Sequence, residues 1–578
     1  FKQKTAYEIM PSLVGSEMCI RDRLVNDLNK KFDLDIVGVD LVGRRYMCSE
    51  PFVSDAENSA FYELCKRLRK KEACSFFANA YGFTPEQRAK ARLYFAQLKK
   101  QYKGVWHHLQ LKDYCEGFKG SNDAGLCSYE IALKLARKAN IIVADYFHLL
   151  NPAIQQIVLQ KARKELSESV VIVDEAHNLP ERLRKLLSAT LSTKTLENAK
   201  QELEKMNQKE AVEGPMLLKK ALKKLAKQKL IENATEVLLQ RQEFDRLVPY
   251  DIEELSFEFR DLALDYLEAF PLGRSSLLKV ASFLEKWLGQ DESFVRIIKR
   301  SSQRISLQLK ALDPSVISKP IFSETHASIL MSGTLLPTKM YADLLGFEEE
   351  RTLLREYNSP FPKENKLTLI VPSVTTKYSE RNFEEYKRIA DMLVKIIACV
   401  PGNVAVFFPS FELLQAISML LEGKLFRKVL KQKERMNTKE RFALLREFRK
   451  SSSQGAVLFA VAAGSFAEGI DYFGKQLLCA IVVGIPLREM DLEQKCLIEY
   501  YQRKFGAGWH YGYLYPAIAR AIQAAGRVIR DRNDRGVVVF LDKRYTWKNY
   551  ARCFPKDMER IVTAEPEKFI DDFWKKQS

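Results

Sequence analysis

The chain has 578 residues, 46% hydrophobic and 29% charged, material for about four domains of ~150 residues each. Its 92 Lys and Arg outweigh 74 Asp and Glu, a formal charge of +18, which favours a polyanionic partner, nucleic acid ahead of a membrane surface. No apolar run reaches the ~18 residues of a membrane span, no signal-peptide core follows the basic N-terminal residues, and 10 cysteines in a large, lysine-rich, α/β-patterned chain point to a reducing cytoplasm with free or metal-bound thiols.

Residues 1–23 follow no strand or helix period, and Pro11–Arg23 resembles translated sequencing-adapter read-through. The segment is expected to be non-native, and Cys19 is left out of the cysteine arithmetic. From Leu24 the pattern is ordinary: Leu24, Leu28 and Phe32 predict a helix face, Ile36–Val39 and Leu41–Val42 a strand. Cys48, Cys65, Cys74, Cys115 and Cys127 then fall within 48–127. They contain no C-x-x-C pair, which argues against a zinc ribbon or finger, and scattered thiols are also ordinary buried residues. Between Cys65 and Cys74 lie Lys66, Arg67, Arg69, Lys70 and Lys71, followed by Phe76, Phe77, Tyr81 and Phe83. Cations interleaved with aromatics suit single-stranded nucleic acid; a solvated basic helix fits the same residues.

Ile131–Arg137 predicts a helix and Ile141–Ala144 a strand; Asp145–Pro152 leads into another helix, with His148 either a conformational contact or a satisfied structural histidine. Val170–Val173 reads as a buried parallel strand, apolar on both faces, running into Asp174, Glu175, Ala176 and His177. Ligands in open α/β sheets bind beyond the carboxyl ends of the strands. One carboxylate there can hold Mg²⁺ through its waters, and the next can orient or deprotonate a water. The string resembles the Walker B box of DEAH-type superfamily 2 helicases. Such a box calls for an upstream phosphate loop, G-x-x-x-x-G-K-[ST]. Gly-Lys occurs at Gly423-Lys424 and Gly474-Lys475, followed by Leu425 and Gln476, and neither fits. Truncation ahead of residue 24 is the expectation.

From about Leu183 to Phe322 the strand signal fades. Leu218, Leu222 and Leu225 recur at helical spacing opposite Lys219, Lys220, Lys223, Lys224 and Lys227. Leu255, Phe259, Leu262 and Tyr266 predict a second helix, and Gly214-Pro215 and Phe270–Gly273 predict turns. Ser332-Gly333-Thr334 ends a strand in two small hydroxyls. A second α/β unit follows, with strands predicted at Leu367–Val371, Val404–Phe408, Val457–Val461, Ala480–Val483 and Val537–Leu541. Ala462–Asp471 combines glycines with Glu468 and Asp471 as polar contacts. Gln523, Arg527 and Arg530, spaced by four and three, would share one helix face, and arginines opposed to a nucleotide serve as fingers in phosphoryl transfer.

Taken in order, Arg44–Cys48, Cys65, Cys74, Cys127, Asp174–His177, Ser332–Thr334, Ala462–Asp471 and Gln523–Arg530 resemble the XPD-like iron–sulfur superfamily 2 helicases, whose relatives include FancJ, RTEL and DinG, with the archaeal type nearest. Ser128 departs from the proline common after the last ligand, and Cys115 is left over. The resemblance implies an α/β fold of two RecA-like parallel-sheet motor domains, the first interrupted by an iron–sulfur insertion and a helical Arch insertion. The implied division is a non-native segment at 1–23, a remnant of motor domain 1 at 24–47, the iron–sulfur domain at 48–127, motor domain 1 with the acidic box at 128–184, the Arch at 185–322, the end of motor domain 1 at 323–337 and motor domain 2 at 338–578. It implies a [4Fe–4S] cluster on Cys48, Cys65, Cys74 and Cys127, and Mg²⁺ held through water by Asp174. Glu175 would act on water, with His177, Gly469, Asp471, Gln523, Arg527 and Arg530 about the ATP. The implied activity is 5′→3′ DNA unwinding by a monomeric motor on single-stranded and forked DNA in nucleotide excision repair. An ATPase-inactive single-strand-binding fragment, a DinG-type helicase, a DEAH-type RNA helicase and a repair scaffold are the alternatives.

Overall fold

The computed structural model describes residues 25, 27–54, 58–102, 104–118, 124–232, 234–270, 274–289, 292–302, 304–462, 464, 466–467, 472 and 474–576. Residues 1–24, and with them the predicted non-native segment and Leu24, lie outside the described residues. Val25 is buried, but Phe32 is exposed, so the predicted apolar face of the first helix is not buried along its length.

The first motor domain is assembled from chain segments far apart in sequence. β1 (Gly38–Leu41), β2 (Val105–Trp106) and β3 (Ile141–Ala144) form a parallel sheet in the order β2-β1-β3. β4 (Val170–Val173) pairs in parallel with β9 (Ala327–Leu330), Val173 beside Leu330. Between β4 and β9 the chain leaves the motor and builds an insertion. Its strands β5 (Ala189–Ser192), β6 (Glu236–Leu239), β7 (Phe294–Ser301) and β8 (Arg304–Ala311) make an antiparallel sheet in the order β5-β8-β7-β6. That sheet corrects the expectation of a purely helical block. β8 alternates polar with apolar residues, Arg304-Ile305-Ser306-Leu307 for example, β7 sets Ile297-Ile298 between Arg296 and Lys299, and helical spacing alone does not reveal either strand.

The predicted helices are present. Leu218, Leu222 and Leu225 point from Glu213–Lys229 into one core with Phe259 of Ile252–Ala269 and with Trp287. Gly214 and Pro215 stand inside the first turn of their helix, not in a turn before it. A Cβ on Gly214 would lie 2.7 Å from the Phe259 ring, so the glycine is there for close helix packing. The same core takes in Phe61 and Leu64 of Asn58–Lys70, with Cys48 and Cys65 packed against it. The cysteine segment and the insertion therefore share a core. Ile317, Ile321 and Phe322, within the predicted span 185–322, join Leu179 and Leu183 in a motor core instead.

β10 (Lys366–Val371), β11 (Val404–Phe408), β12 (Lys428–Lys431), β13 (Ala456–Val461), β14 (Cys479–Val483), β15 (Gly536–Leu541) and β16 (Ile561–Val562) form the second motor sheet. It is parallel throughout, in the order β12-β13-β11-β14-β15-β10-β16. β11 sends Ala405 and Phe407 to one core and Val404, Val406 and Phe408 to the other, as a parallel sheet covered on both faces requires. The five predicted strands lie within a residue of those observed. β12 and β16, which sequence reading missed, are short edge strands.

β4 departs from expectation. Val173 is buried, but Val170 is 55% and Ile172 61% exposed, as is 51% of Ile329 on β9. Among the described residues the pair is covered on one face, by Val171, Val173 and Leu330 packing on Leu179 and Leu183. Among the described residues no helix is long and apolar enough to cross a membrane.

Candidate active site

The acidic box lies where the sequence places it, at the carboxyl end of β4. The turn is tight: Glu175 has φ +48°, left-handed for a non-glycine residue, a conformation that stores strain and concentrates at functional sites. Four hydrogen bonds hold it there. The Ala176 N–H donates to Met331 O at 3.1 Å, and the Met331 N–H to Val173 O at 2.9 Å. The Tyr146 hydroxyl donates to Asp174 O at 2.5 Å and Glu175 O at 3.2 Å, with the Arg182 guanidinium 5.2 Å above its ring. Tyr146 was not singled out from sequence, because only the folded sheet brings it beneath the box.

Glu175, His177 and Ser332 form one polar unit. Ser332 Oγ donates to Glu175 Oε2 at 2.8 Å and lies 2.7 Å from His177 Nδ1. His177 Nδ1 is 3.2 Å from Glu175 Oε2. The Glu175 carboxyl is held down at about 2: the His177 hydrogen bond lowers it most, burial opposes, and Ser332 and the Arg527 charge add to the lowering. A carboxylate so held is ionised and has the chemistry to orient a water by accepting its hydrogen bond; a stronger base would sit nearer neutrality. Asp174 stands exposed at the strand end, with its Oδ1 accepting from the Glu175 N–H at 2.9 Å. A carboxylate in that position suits Mg²⁺, which keeps several waters and takes one or two carboxylates.

The unit opens on a cleft of about 1930 Å³ between the two motor domains, lined by Glu175, His177, Ser332 and Thr334 on one side and by Gln523, Arg527 and Arg530 on the other. The Gln523 side-chain amide donates to Thr334 Oγ1 at 2.9 Å, and Thr334 Oγ1 lies 3.5 Å from Ser332 Oγ. A continuous polar chain thus runs from the acidic box to the second motor. The premise that Gln523, Arg527 and Arg530 share a helix is corrected. The helix is Tyr515–Ala525 and ends at Gly526, with Asp534 accepting from the N–H groups of Arg530 and Asp531 at 2.7 and 2.8 Å. Buried Val528 and Ile529 pull the chain inward, and both arginines still line the cleft. Gly469 and Asp471, with Glu468, lie outside the described residues. His148 is buried, with its Nδ1 3.2 Å from Asp145 Oδ1.

Cys48, Cys65, Cys74 and Cys127 line a single small cavity with Arg44, Arg69, Phe77 and Glu130. Burial pushes the Cys48 and Cys74 thiols up to about 12 and about 11, and that of Cys127 well up. Such thiols ionise only for a strong electrophile. Among the described residues no three of the four sulfurs lie within 4.8 Å of one another. A single tetrahedral zinc, with Zn–S of ~2.3 Å, needs sulfurs roughly 3.8 Å apart, so the four thiols do not present a closed zinc site. Cys115 is buried with Leu111 and Leu126 in a motor core. The cations between Cys65 and Cys74 are largely engaged: Arg67 with Asp265 at 2.9 Å and Glu268 at 2.6 Å, Lys71 with Glu268 at 2.7 Å, and Arg69 over the Phe77 ring at 4.3 Å. Arg67 and Lys71 tie the cysteine segment to the insertion.

Two parallel-sheet domains facing each other across an acidic box and a pair of arginines define a two-domain, RecA-like helicase motor. The DEAD_2 family matches residues 20–196 and the helicase C-terminal domain family residues 393–561. The yeast Saccharomyces cerevisiae helicase subunit XPD/RAD3 of general transcription and DNA repair factor IIH is 25% identical over 646 aligned positions, covering 94% of this chain and 79% of that protein. The ATP-dependent DNA helicase XPD of Sulfolobus acidocaldarius is 25% identical over 440, covering 74% of each chain. A solved XPD helicase superposes with a TM-score of 0.60 at 20% identity, over 94% of this chain and 90% of the other; Xpd4 of S. tokodaii gives 0.52 at 19%, over 94% and 99%. The chain belongs to the XPD/Rad3-type helicase family.

Proposed function

We propose that this chain is the body of an ATP-dependent DNA helicase that translocates 5′→3′ on single-stranded DNA and opens forked duplex in nucleotide excision repair. The observation that carries the reading is the polar chain Glu175–Ser332–Thr334–Gln523, which joins the hydrolytic carboxylate to the opposite motor inside one cleft. Asp174 would hold Mg²⁺, which neutralises phosphate charge. Glu175 orients the attacking water. Arg527 and Arg530 present positive charge from the second motor, and Gln523 couples closure of the cleft to the position of Ser332.

Support for the single strand comes from exposed rings beside cations on motor 2. The Lys377 ammonium lies 5.9 Å from the Trp547 ring, which meets Tyr550 at 5.6 Å, and Arg381 lies 5.7 Å from Tyr378. Rings and cations so interleaved stack bases and contact phosphates. Cys48, Cys65, Cys74 and Cys127 would hold a [4Fe–4S] cluster through their thiolates. ATP turnover calls for a phosphate loop, and no G-x-x-x-x-G-K-[ST] motif occurs in residues 1–578.

The test is Glu175→Gln in the chain joined to its upstream coding segment, followed by single-strand-stimulated ATP turnover. Loss of ~10²-fold or more is expected for a positioned base or water-orienting group, with unwinding of 5′-tailed but not 3′-tailed duplex. Near-wild-type turnover sinks the assignment. A second reading, single-strand binding without hydrolysis, is favoured for the chain as it stands by the missing phosphate-loop motif; DNA binding without turnover in residues 1–578 is its signature.

A further inference from the structure

Away from the acidic box, the carboxyl ends of β1 and β2 bring Asp40, His107 and His108 together. The strands are parallel, with Gly38 beside Val105 and Val39 beside Trp106, so the next step of the register sets Asp40 beside His107. Asp40 and His108 are buried, His107 half-buried. One ligand atom from each lies within 4.8 Å of the other two. Asp40 Oδ2 is 3.9 Å from His107 Nε2, and His108 Nδ1 shares a hydrogen bond with the same oxygen. The His108 N–H also donates to it at 3.4 Å, and the two imidazoles stand 4.2 Å apart.

We propose that Asp40, His107 and His108 bind a zinc-class transition-metal ion, with a fourth position left to water. Two imidazoles and a carboxylate are the donors such ions take, and three protein ligands with one open position are a recurring zinc arrangement. Bonds of ~2.0–2.2 Å place tetrahedral ligand atoms roughly 3.3–3.5 Å apart. The Asp40–His107 separation is already near that spacing. The Asp40–His108 contact must open, because the ion takes the place of the proton shared there. His107 must also move its ring proton to Nδ1, which accepts from the Leu109 N–H at 3.2 Å. That bond is at an exposed helix start, where water takes over the N–H. Half-exposed His107 gives the ion its way in. Two nitrogen donors disfavour Ca²⁺ and Mg²⁺, which prefer oxygen.

The experiment equilibrates the purified, iron-bearing chain with micromolar Zn²⁺, removes free metal, and counts zinc and iron by plasma mass spectrometry. A Co²⁺ titration followed by visible absorption runs beside it. One zinc per chain is expected. His107→Asn retains an N-cap acceptor but withdraws Nε2; it and His108→Gln should each weaken zinc binding at least ~10-fold, with iron content and circular dichroism unchanged. Cys74→Ser should keep the zinc. The proposal is overturned if the wild-type chain holds no zinc, if both histidine variants hold as much as wild type, or if Cys74→Ser alone removes it.

Discussion

Cys127→Ser tests the cysteine cavity in the chain as it stands. Cys127 is the last of the four cavity cysteines and the N-cap of the helix Ser128–Ala136, whose Ile131, Ala132 and Leu135 are fully buried. A multinuclear group bound from Cys48 to Cys127 closes a span of 79 residues. By the chain-entropy relation such a closure restrains the unfolded span by about 4–5 kcal/mol. Serine is a poor ligand for iron, so the variant is expected to lose the group and the restraint. At 1.4 kcal/mol per decade, local opening of residues 48–136 rises roughly 10³-fold. Iron analysis and absorbance near ~400 nm, where iron–sulfur thiolates absorb, follow the group. Amide hydrogen exchange at Ile131 and Leu135 follows the opening, with β13 as an internal control in a separate core. A variant that keeps its iron, or loses it with protection at Ile131 unchanged, refutes the reasoning.

Three further outcomes follow from the same contacts. Glu181 is held down at about 2: burial alone would raise it, but Arg488 at 2.5 Å and Lys185 at 2.7 Å outweigh burial. Its folded value lies below the unfolded ~4.3, so its stabilisation is complete above about pH 5 and fades as pH falls toward 2. Glu181→Gln should therefore melt below wild type at pH 7 and with it near pH 2; equal melting at pH 7 counts against the ion pair. Arg67→Ala with Lys71→Ala cuts the cysteine segment from Asp265 and Glu268, a partly exposed network. The loss should be no more than about 1 kcal/mol per pair and smaller in high salt; a salt-independent loss in denaturant titrations would point to packing. Leu218→Ala, at a fully buried site, should cost about 2–5 kcal/mol of insertion stability, read as protection lost in the helix Glu213–Lys229 and retained in β11.

The second motor was legible because a parallel sheet buried on both faces writes itself as continuous apolar runs. Val404–Phe408 needed no context to be recognised. The acidic box, Ser332–Thr334 and the two arginines were legible as types in order, and the fold brings those among the described residues into one cleft. What sequence spacing missed is tertiary. Gln523, Arg527 and Arg530 converge although the helix stops at Ala525, because Gly526 ends it and buried Val528 and Ile529 redirect the chain. β5 and β6 span four residues each, and β7 and β8 carry charges among their apolar residues, so none stood out between the strongly periodic helices. The cations after Cys65 read equally well as a nucleic-acid face, and only the position of Asp265 and Glu268, some 200 residues on, decides their use.

The Gln523–Thr334 hydrogen bond is also a ruler. It spans 2.9 Å between residues on opposite walls of the cleft, and a contact of about 3.6 Å is no longer a hydrogen bond. Separation of the walls by well under an ångström at that point is therefore enough to switch it off. A small displacement becomes a yes-or-no signal beside the carboxylate. Spectroscopic labels placed on either side of that pair would report cleft width where the scale is finest.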